Sequence, residues 1–262
     1  MQPLNERQNE ILSIARTTGR VGVEELAERF NVTPQTIRRD LNELCDRNIL
    51  TRTHGGAMVS SSVENISYAA RRLIAAEQKQ AIGAAAAVLI PDHSSLFINI
   101  GTTTEEVARR LTFHQDLLVI TNNINVALTL HPSPAIRVVI AGGPVRGSDG
   151  AVVGSAAVDL IRQFKVDTAI IGASAIEEDG SLLDFDPLEV NVSRAIIENA
   201  RRVILVCDQM KIARAAPVRI GHMAQIHTFV TDLLPSPRLR ATCTTHGVVV
   251  IETGLGAGRR PE

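Results

Sequence analysis

The chain has no tryptophan, one tyrosine and six phenylalanines, so aromatic residues make up only 3% of its 262 residues. Beside an apolar fraction of 45%, that scarcity suits a packed α/β protein and argues against a disordered one. Cysteine is nearly absent too. Cys45, Cys207 and Cys243 are an odd number with no C-x-x-C spacing, so they read as reduced cytoplasmic thiols, not as a zinc site or disulfide framework. No run of about twenty apolar residues is free of charge, which excludes a membrane span. The N-terminus lacks a basic stretch followed by an apolar one, and no secretory leader is expected. Net charge is missing as well: 27 Lys and Arg face 28 Asp and Glu. The first sixty residues hold eight Arg against eight acids, so a nucleic-acid-binding segment there must gather its cations on one side. There is no internal repeat. With no G-x-G-x-x-G and no Walker sequence, no nucleotide cofactor is expected, and no other cofactor or metal is indicated.

What the chain does have begins at Val32–Leu44, V-T-P-Q-T-I-R-R-D-L-N-E-L. Thr33 is suited to cap a helix, and Pro34 fits the first helical position, where its missing N–H costs nothing. Ile37, Leu41 and Leu44 recur at i, i+4 and i+7 and share a buried face. That leaves Gln35, Thr36, Arg38, Arg39 and Asn42 on the outer side. Arg reads guanine edges, Gln and Asn read adenine, and hydroxyls such as that of Thr33 hold phosphate. Upstream, Val23, Leu26, Ala27 and Phe30 form a second stripe, separated by a three-residue turn, which is the helix-turn-helix arrangement. Downstream, Ile49–Val59 reads as a hairpin turned at Gly55–Gly56, a wing with Arg52 and His54 near its tip. Glu24, Glu25 and Glu28 sit on the preceding helix, away from the proposed DNA side.

In chain order, a first helix is expected over 5–18, ended by Gly19. The winged domain is assigned to 1–59 and a polar linker and irregular helical arm to 60–76. A second domain spans 77–253, and a disordered tail covers 254–262. Within the second domain a helix is expected from Glu77 to about Ile90, and after it β-branched runs alternate with helical ones. Strands are predicted at 96–100, 117–121, 136–141, 168–172, 203–207, 228–231 and 248–251, and helices at 104–111, 123–130, 155–164, 188–200 and 236–244. Alternation of this kind gives a Rossmann-like, mostly parallel sheet covered on both faces.

Ligands of such sheets bind beyond the carboxyl ends of the strands. There the chain places Gly101-Thr102-Thr103-Thr104, Thr121-Asn122-Asn123, Gly142-Gly143 with Arg146, Gly172-Ala173-Ser174, and Asp208 with Lys211. Glycines and hydroxyls at helix starts can surround a phosphate. Asp184, Asp186 and Glu189 cluster in L-L-D-F-D-P-L-E, where a carboxylate could act as a proton-transfer base or simply cap the helix beginning near Pro187. His93, His114, His131, His222, His227 and His246 are scattered, with no Ser-His-Asp or metal spacing.

V-T-P-Q-T-I-R-R-D-L-N-E-L followed by T-R-T-H-G-G-A resembles the signature of DeoR-type bacterial transcriptional repressors. The resemblance extends to about residue 252 through G-T-T-T, T-N-N, A-G-G, G-S-L-L-D-F-D and R-A-I-I-E-N-A-R. F-I-N-I-G-T-T, V-I-T-N-N-I-N-V-A and D-F-D-P-L-E-V are similar to the subgroup that answers to glycerol 3-phosphate. The family implies a winged helix-turn-helix domain joined to a sensor related in fold to ribose-5-phosphate isomerase. It implies a homodimer or homotetramer that binds double-stranded operator DNA and releases it when a phosphorylated sugar or polyol binds, with no enzymatic turnover. By resemblance, Gly101–Thr104 and Thr121–Asn123 would hold the phosphate, with Gly142, Gly143, Asp208 and Lys211 completing the site. Two positions depart from the pattern: Met210 stands where the family commonly has Ser, and Ser193-Arg194 where the subgroup tends to carry Lys-Arg. The alternatives are a repressor answering to another phosphosugar and an active isomerase with a DNA-binding module.

Overall fold

The computed structural model describes residues 4–18, 20–47, 49–53, 55–59 and 67–254. Gly19, His54, the linker at 60–66 and the tail at 255–262, each assigned a role above, lie outside the described residues. The chain divides into two compact units, with the boundary between Ala76 and Glu77.

The first unit holds α1 (Glu6–Thr18), β1 (Arg20–Gly22), α2 (Val23–Phe30), α3 (Pro34–Asp46), β2 (Leu50–Thr53), β3 (Gly56–Val59) and α4 (Tyr68–Leu73). Ile11, Leu12, Leu26, Ile37, Leu41, Leu44 and Ile49 close its core, each no more than 1% exposed. The α2–α3 turn follows from two local preferences. Asn31 takes a left-handed conformation (φ 50°), and Thr33 Oγ1 accepts from the Thr36 N–H at 3.3 Å. The strands pair antiparallel in the order β1-β3-β2. The wing was expected and β1 was not, since three residues show no alternation. β1 explains Gly56: a Cβ there would lie 1.9 Å from the Val21 carbonyl oxygen. The α4 arm returns to α1, where the Ala75 N–H donates to Asn9 Oδ1 (3.2 Å).

The second unit holds α5 (Ala76–Ala87), β4 (Ser95–Ile98), α6 (Thr102–Leu111), β5 (Leu117–Thr121), α7 (Ile124–Leu130) and β6 (Ile136–Ile140). The hairpin β7 (Val145–Arg146) and β8 (Ala151–Val152) follows, then α8 (Ser155–Arg162), β9 (Val166–Ile171), β10 (Ala175–Ile176), β11 (Ser181–Asp184) and α9 (Pro187–Glu198). The unit ends with β12 (Ala200–Val206), β13 (Val218–His222), β14 (Thr228–Thr231), α10 (Pro237–Thr245) and β15 (Val249–Glu252). Among the described residues, seven strands make one parallel sheet in the order β15-β14-β12-β9-β4-β5-β6.

Strand side chains alternate between two apolar layers. Leu96, Ile98, Val119, Ile170 and Ile204 pack with α5, α6 and α7. Phe97, Ile120, Ala169, Ile171 and Leu205 pack with α8, α9 and α10. Burial on both faces is why these strands read as continuous apolar runs. From the sheet centre the chain winds outward through β4, β5 and β6, then returns to wind the other way through β9, β12, β14 and β15. The reversal lies between β4 and β9, the topological position where open sheets bind ligands. The hairpin β7–β8 and the small antiparallel sheet β10-β11-β13 are additions that the alternating pattern did not foretell.

Candidate functional site

In the first unit the functional face is the outer side of α3. Burying Ile37, Leu41 and Leu44 turns Gln35, Arg38, Arg39 and Asn42 to solvent, with Thr33 exposed at the cap and Thr36 half-buried beside it. Thr33, Gln35, Thr36, Arg39 and Asn42 line a polar groove of about 890 Å³. Arg38 lies outside that groove and reaches Glu24 of α2 across 3.4 Å. Arg52 is exposed on β2.

Five groove residues were missed in the sequence: Asn5, Arg7 and the acids Asp40, Glu43 and Asp46 of α3 itself. Asn5 and Gln8 form a reciprocal cap on α1 (Gln8 N–H to Asn5 Oδ1, 2.8 Å; Asn5 N–H to Gln8 Oε1, 3.1 Å), and N-x-x-Q was the available signal. Arg7 donates to Asp40 Oδ2 at 2.6 Å, while Gln8 and Arg47 bind Glu43. The acids of the recognition helix are thereby partly neutralised, which matters on a face meant for phosphate.

In the second unit the site centres on the turn after β4. Gly101 (φ 146°) opens α6 without a side-chain cap, and the first bond into the helix is from the Glu105 N–H to the Gly101 carbonyl (3.1 Å). A helix start of this kind directs the N–H groups of Thr102, Thr103 and Thr104 outward, with the positive end of the helix dipole behind them. The φ of Gly101 excludes a side chain, and Gly172 lies across the switch point, where an added Cβ would stand 3.9 Å from the Ile100 carbonyl in ordinary contact.

The other expected phosphate ligands are largely engaged within the protein. Thr104 Oγ1 lies 2.8 Å from the carbonyls of both Asn99 and Gly101. Thr121 Oγ1 donates to the Ile98 carbonyl (2.6 Å) and accepts from the Asn123 N–H (3.0 Å). Asn123 caps α7 and donates to Glu105 Oε1 (3.1 Å). Asn122 donates to the Val152 carbonyl (3.3 Å), leaving its buried Oδ1 without a partner among the described residues. T-N-N is therefore a scaffold that fastens the β7–β8 hairpin to β5. Gly142 is exposed and unobstructed, whereas Gly143 (φ 141°) would bring a Cβ to 2.9 Å from the Val153 carbonyl.

Arg146, expected to face phosphate, instead meets three carboxylates. It binds Asp149 through two nitrogens (2.9 and 2.7 Å), Glu189 at 2.7 Å, and Asp186. Burial pulls its pKa down, but the hydrogen bonds and charges of Asp149 and Glu189 outweigh that and hold it above the ordinary value. Asp186 also caps α9 by accepting from the Leu188 N–H (2.9 Å), in keeping with the capping role weighed for it. Ser193, at the departure from the subgroup pattern, accepts from Asn99 Nδ2 at 2.8 Å.

At the far side of the site, Asp208 caps the 3-10 turn Gln209–Lys211 through the Met210 N–H (3.1 Å), so Lys211 stands on the same turn. Asp208 is 1% exposed, and its Oδ2 has no partner among the described residues. The register of β12 and β14 sets Asp208 beside Asp232, which sequence reasoning missed because the pairing is long-range. Burial, reinforced by the charge of Asp208, pushes Asp232 up to about 6.

Among the described residues no helix is long and apolar enough to cross a membrane. Residues 7–63 match the DeoR-like helix-turn-helix domain and residues 74–233 the DeoR C terminal sensor domain. The chain is 44% identical to the glycerol-3-phosphate regulon repressor of Escherichia coli (strain K12) over 243 residues, which is 93% of this chain and 96% of that one. It is also 44% identical to the glycerol-3-phosphate regulon repressor of Haemophilus influenzae, covering 87% of this chain and 89% of that one. Among solved structures, ribose 5-phosphate isomerase A of Methanocaldococcus jannaschii is similar with a TM-score of 0.40 and 16% identity, over 53% of this chain and 56% of that one. With a DeoR-like helix-turn-helix domain followed by a DeoR sensor domain, the chain belongs to the DeoR family.

Proposed function

We propose that this chain is a transcriptional repressor that reads operator DNA with α3 and its wing and lets go when glycerol 3-phosphate binds its sensor. The observation that carries the reading is the joining of two devices in one chain. An exposed Gln35/Arg39/Asn42 face lies on a capped helix in the first unit. In the second, an uncapped helix start opens beside the sheet's reversal point. The relatives named for the glycerol-3-phosphate regulon, matched over nearly the whole chain, supply the effector.

In this reading Gly101, Thr102 and Thr103 take the phosphate, through backbone N–H groups and two hydroxyls that bind nothing else among the described residues. The free oxygen of Asp208 accepts a carbinol hydroxyl. The protein acts as a homodimer or homotetramer, two α3 helices entering major grooves about one helical turn (~34 Å) apart. Operator release needs binding of effector and no chemistry.

Titration calorimetry with Thr103→Ala tests the site. Loss of a hydrogen bond to a charged group, worth about 1.5–3 kcal/mol, should weaken glycerol 3-phosphate binding roughly tenfold or more. Unaltered affinity would move the phosphate elsewhere. A coupled assay for aldose–ketose isomerisation of ribose 5-phosphate should show no turnover, and turnover would establish an enzyme.

A further inference from the structure

The hairpin β7–β8 and helix α9 meet at one guanidinium. On the hairpin side Arg146 forks onto Asp149 (2.9 and 2.7 Å). On the α9 side it reaches Glu189 (2.7 Å) and the capping Asp186. The bonds from Arg146 to α9 span 40 and 43 residues of sequence, so they clamp two separate elements.

Both elements rest on the residues that lead into the Gly101 turn. Ala151 and Val153 of the hairpin segment pack with Ile100 in a small apolar cluster of their own. The backbone of the segment is tied to the end of β5, with Val152 N–H donating to the Asn122 carbonyl (2.7 Å) and Ile124 N–H to the Gly150 carbonyl (3.0 Å). From the other side, Ser193 of α9 binds Asn99 at 2.8 Å. The segment is bounded by Gly143 (φ 141°) and Gly154 (φ 95°), conformations that other residues rarely adopt. A hairpin bounded by two such residues and clamped at its tip is built as a strap.

We propose that Arg146 is the positioning residue of the effector site: by clamping the β7–β8 strap to α9 it holds Asn99 and Ile100, and through them the Gly101–Thr103 turn, in the phosphate-binding arrangement. This rests on the effector reading above. Arg146 acts through the strap, since its donors are directed at carboxylates and not at the turn. Its removal would do more than delete four hydrogen bonds. Asp149, Asp186 and Glu189 would be left facing one another, and like charges in a half-buried setting force the strap off α9.

The test uses full-length protein and two readouts, glycerol 3-phosphate binding and amide hydrogen exchange of residues 145–153. Arg146→Gln should raise the glycerol 3-phosphate Kd at least tenfold, chiefly through faster dissociation. It should speed exchange of 145–153 without effector and leave operator affinity within twofold. Arg146→Lys, which keeps the charge and loses the fork, should fall between the two. If Arg146→Gln does not fold, the pair Asp186→Asn and Glu189→Gln weakens the same clamp by removing both charges on its α9 side while leaving Arg146 paired with Asp149, and should show the same two changes to a smaller degree. Unchanged exchange overturns the clamp, and faster exchange with unchanged effector affinity overturns the positioning role. Wild-type protein that binds no glycerol, fructose or ribose phosphate overturns the effector reading and the positioning role with it, while the exchange rates still decide whether the clamp exists.

Discussion

At the residue scale the two units depend on polar groups whose partners are set at different ranges. Thr33 and Pro34 act on their own neighbours, so their places at the start of α3 were legible in the sequence, whereas the sequence left the cap of α9 between Asp184 and Asp186, of which Asp186 holds it. Arg39 was legible as well, because three apolar residues at helical spacing fix which side faces out. Arg39→Ala should cost operator binding about 1–3 kcal/mol, read by filter binding at fixed salt, with the fold intact by circular dichroism. Equal affinity would take Arg39 off the DNA face. Asp232 was not legible, since its character comes from standing beside Asp208 on an adjacent strand. Its pKa of about 6, against an ordinary 3.8, means the folded state holds a proton that the unfolded state has released. That contribution is fully present below about pH 4 and is lost as pH rises through about 6, a difference on the order of 3 kcal/mol. Asp232→Asn, which stays neutral, should therefore melt increasingly above wild type as pH rises from about 4 to about 6, with the gap levelling off above about 7. A gap that does not vary with pH would contradict this account of Asp232.

At the element scale, alternating strand and helix signals defined the parallel sheet to within a few residues, because both sheet faces are buried and every strand is a short apolar run. What periodicity did not reveal were β1, the hairpin β7–β8 and the sheet β10-β11-β13. These strands are two to five residues long, too short to show a pattern, and β1 and β13 pair with strands distant in sequence. The candidate site was half legible for the same reason. The turn at Gly101 follows from local chemistry, but the engagement of Thr121 and Asn123 depends on contacts between elements that the pattern did predict yet could not register, and that of Arg146 on a hairpin that the pattern omitted. Helix α5 offers a test of packing against propensity. An added methyl at Gly83 would meet the Glu106 backbone at 2.7–2.9 Å, so α5 and α6 touch through it. In an exposed helix Gly→Ala gains about 1 kcal/mol. Here Gly83→Ala should instead destabilise by roughly 1–3 kcal/mol in a urea titration, since overpacking moves whole helices. A gain in stability would show that this approach is looser than described.

At the scale of the whole molecule, the account's central claim is that one ligand event in the sensor decides whether α3 stays on DNA. Taking an operator from mostly occupied to mostly free requires about 3–5 kcal/mol of differential affinity between the two states. A phosphate received by several N–H groups at a helix start, in a site closed by the Arg146 clamp, is a sufficient source. The most direct measurement is fluorescence anisotropy of the full-length protein on the DNA upstream of its own gene and of glycerol-catabolic genes, titrated with glycerol 3-phosphate and, separately, with fructose and ribose phosphates. The account predicts tight binding that is reversed by glycerol 3-phosphate and not by the other two. Tight, sequence-specific binding that glycerol 3-phosphate leaves untouched would contradict it.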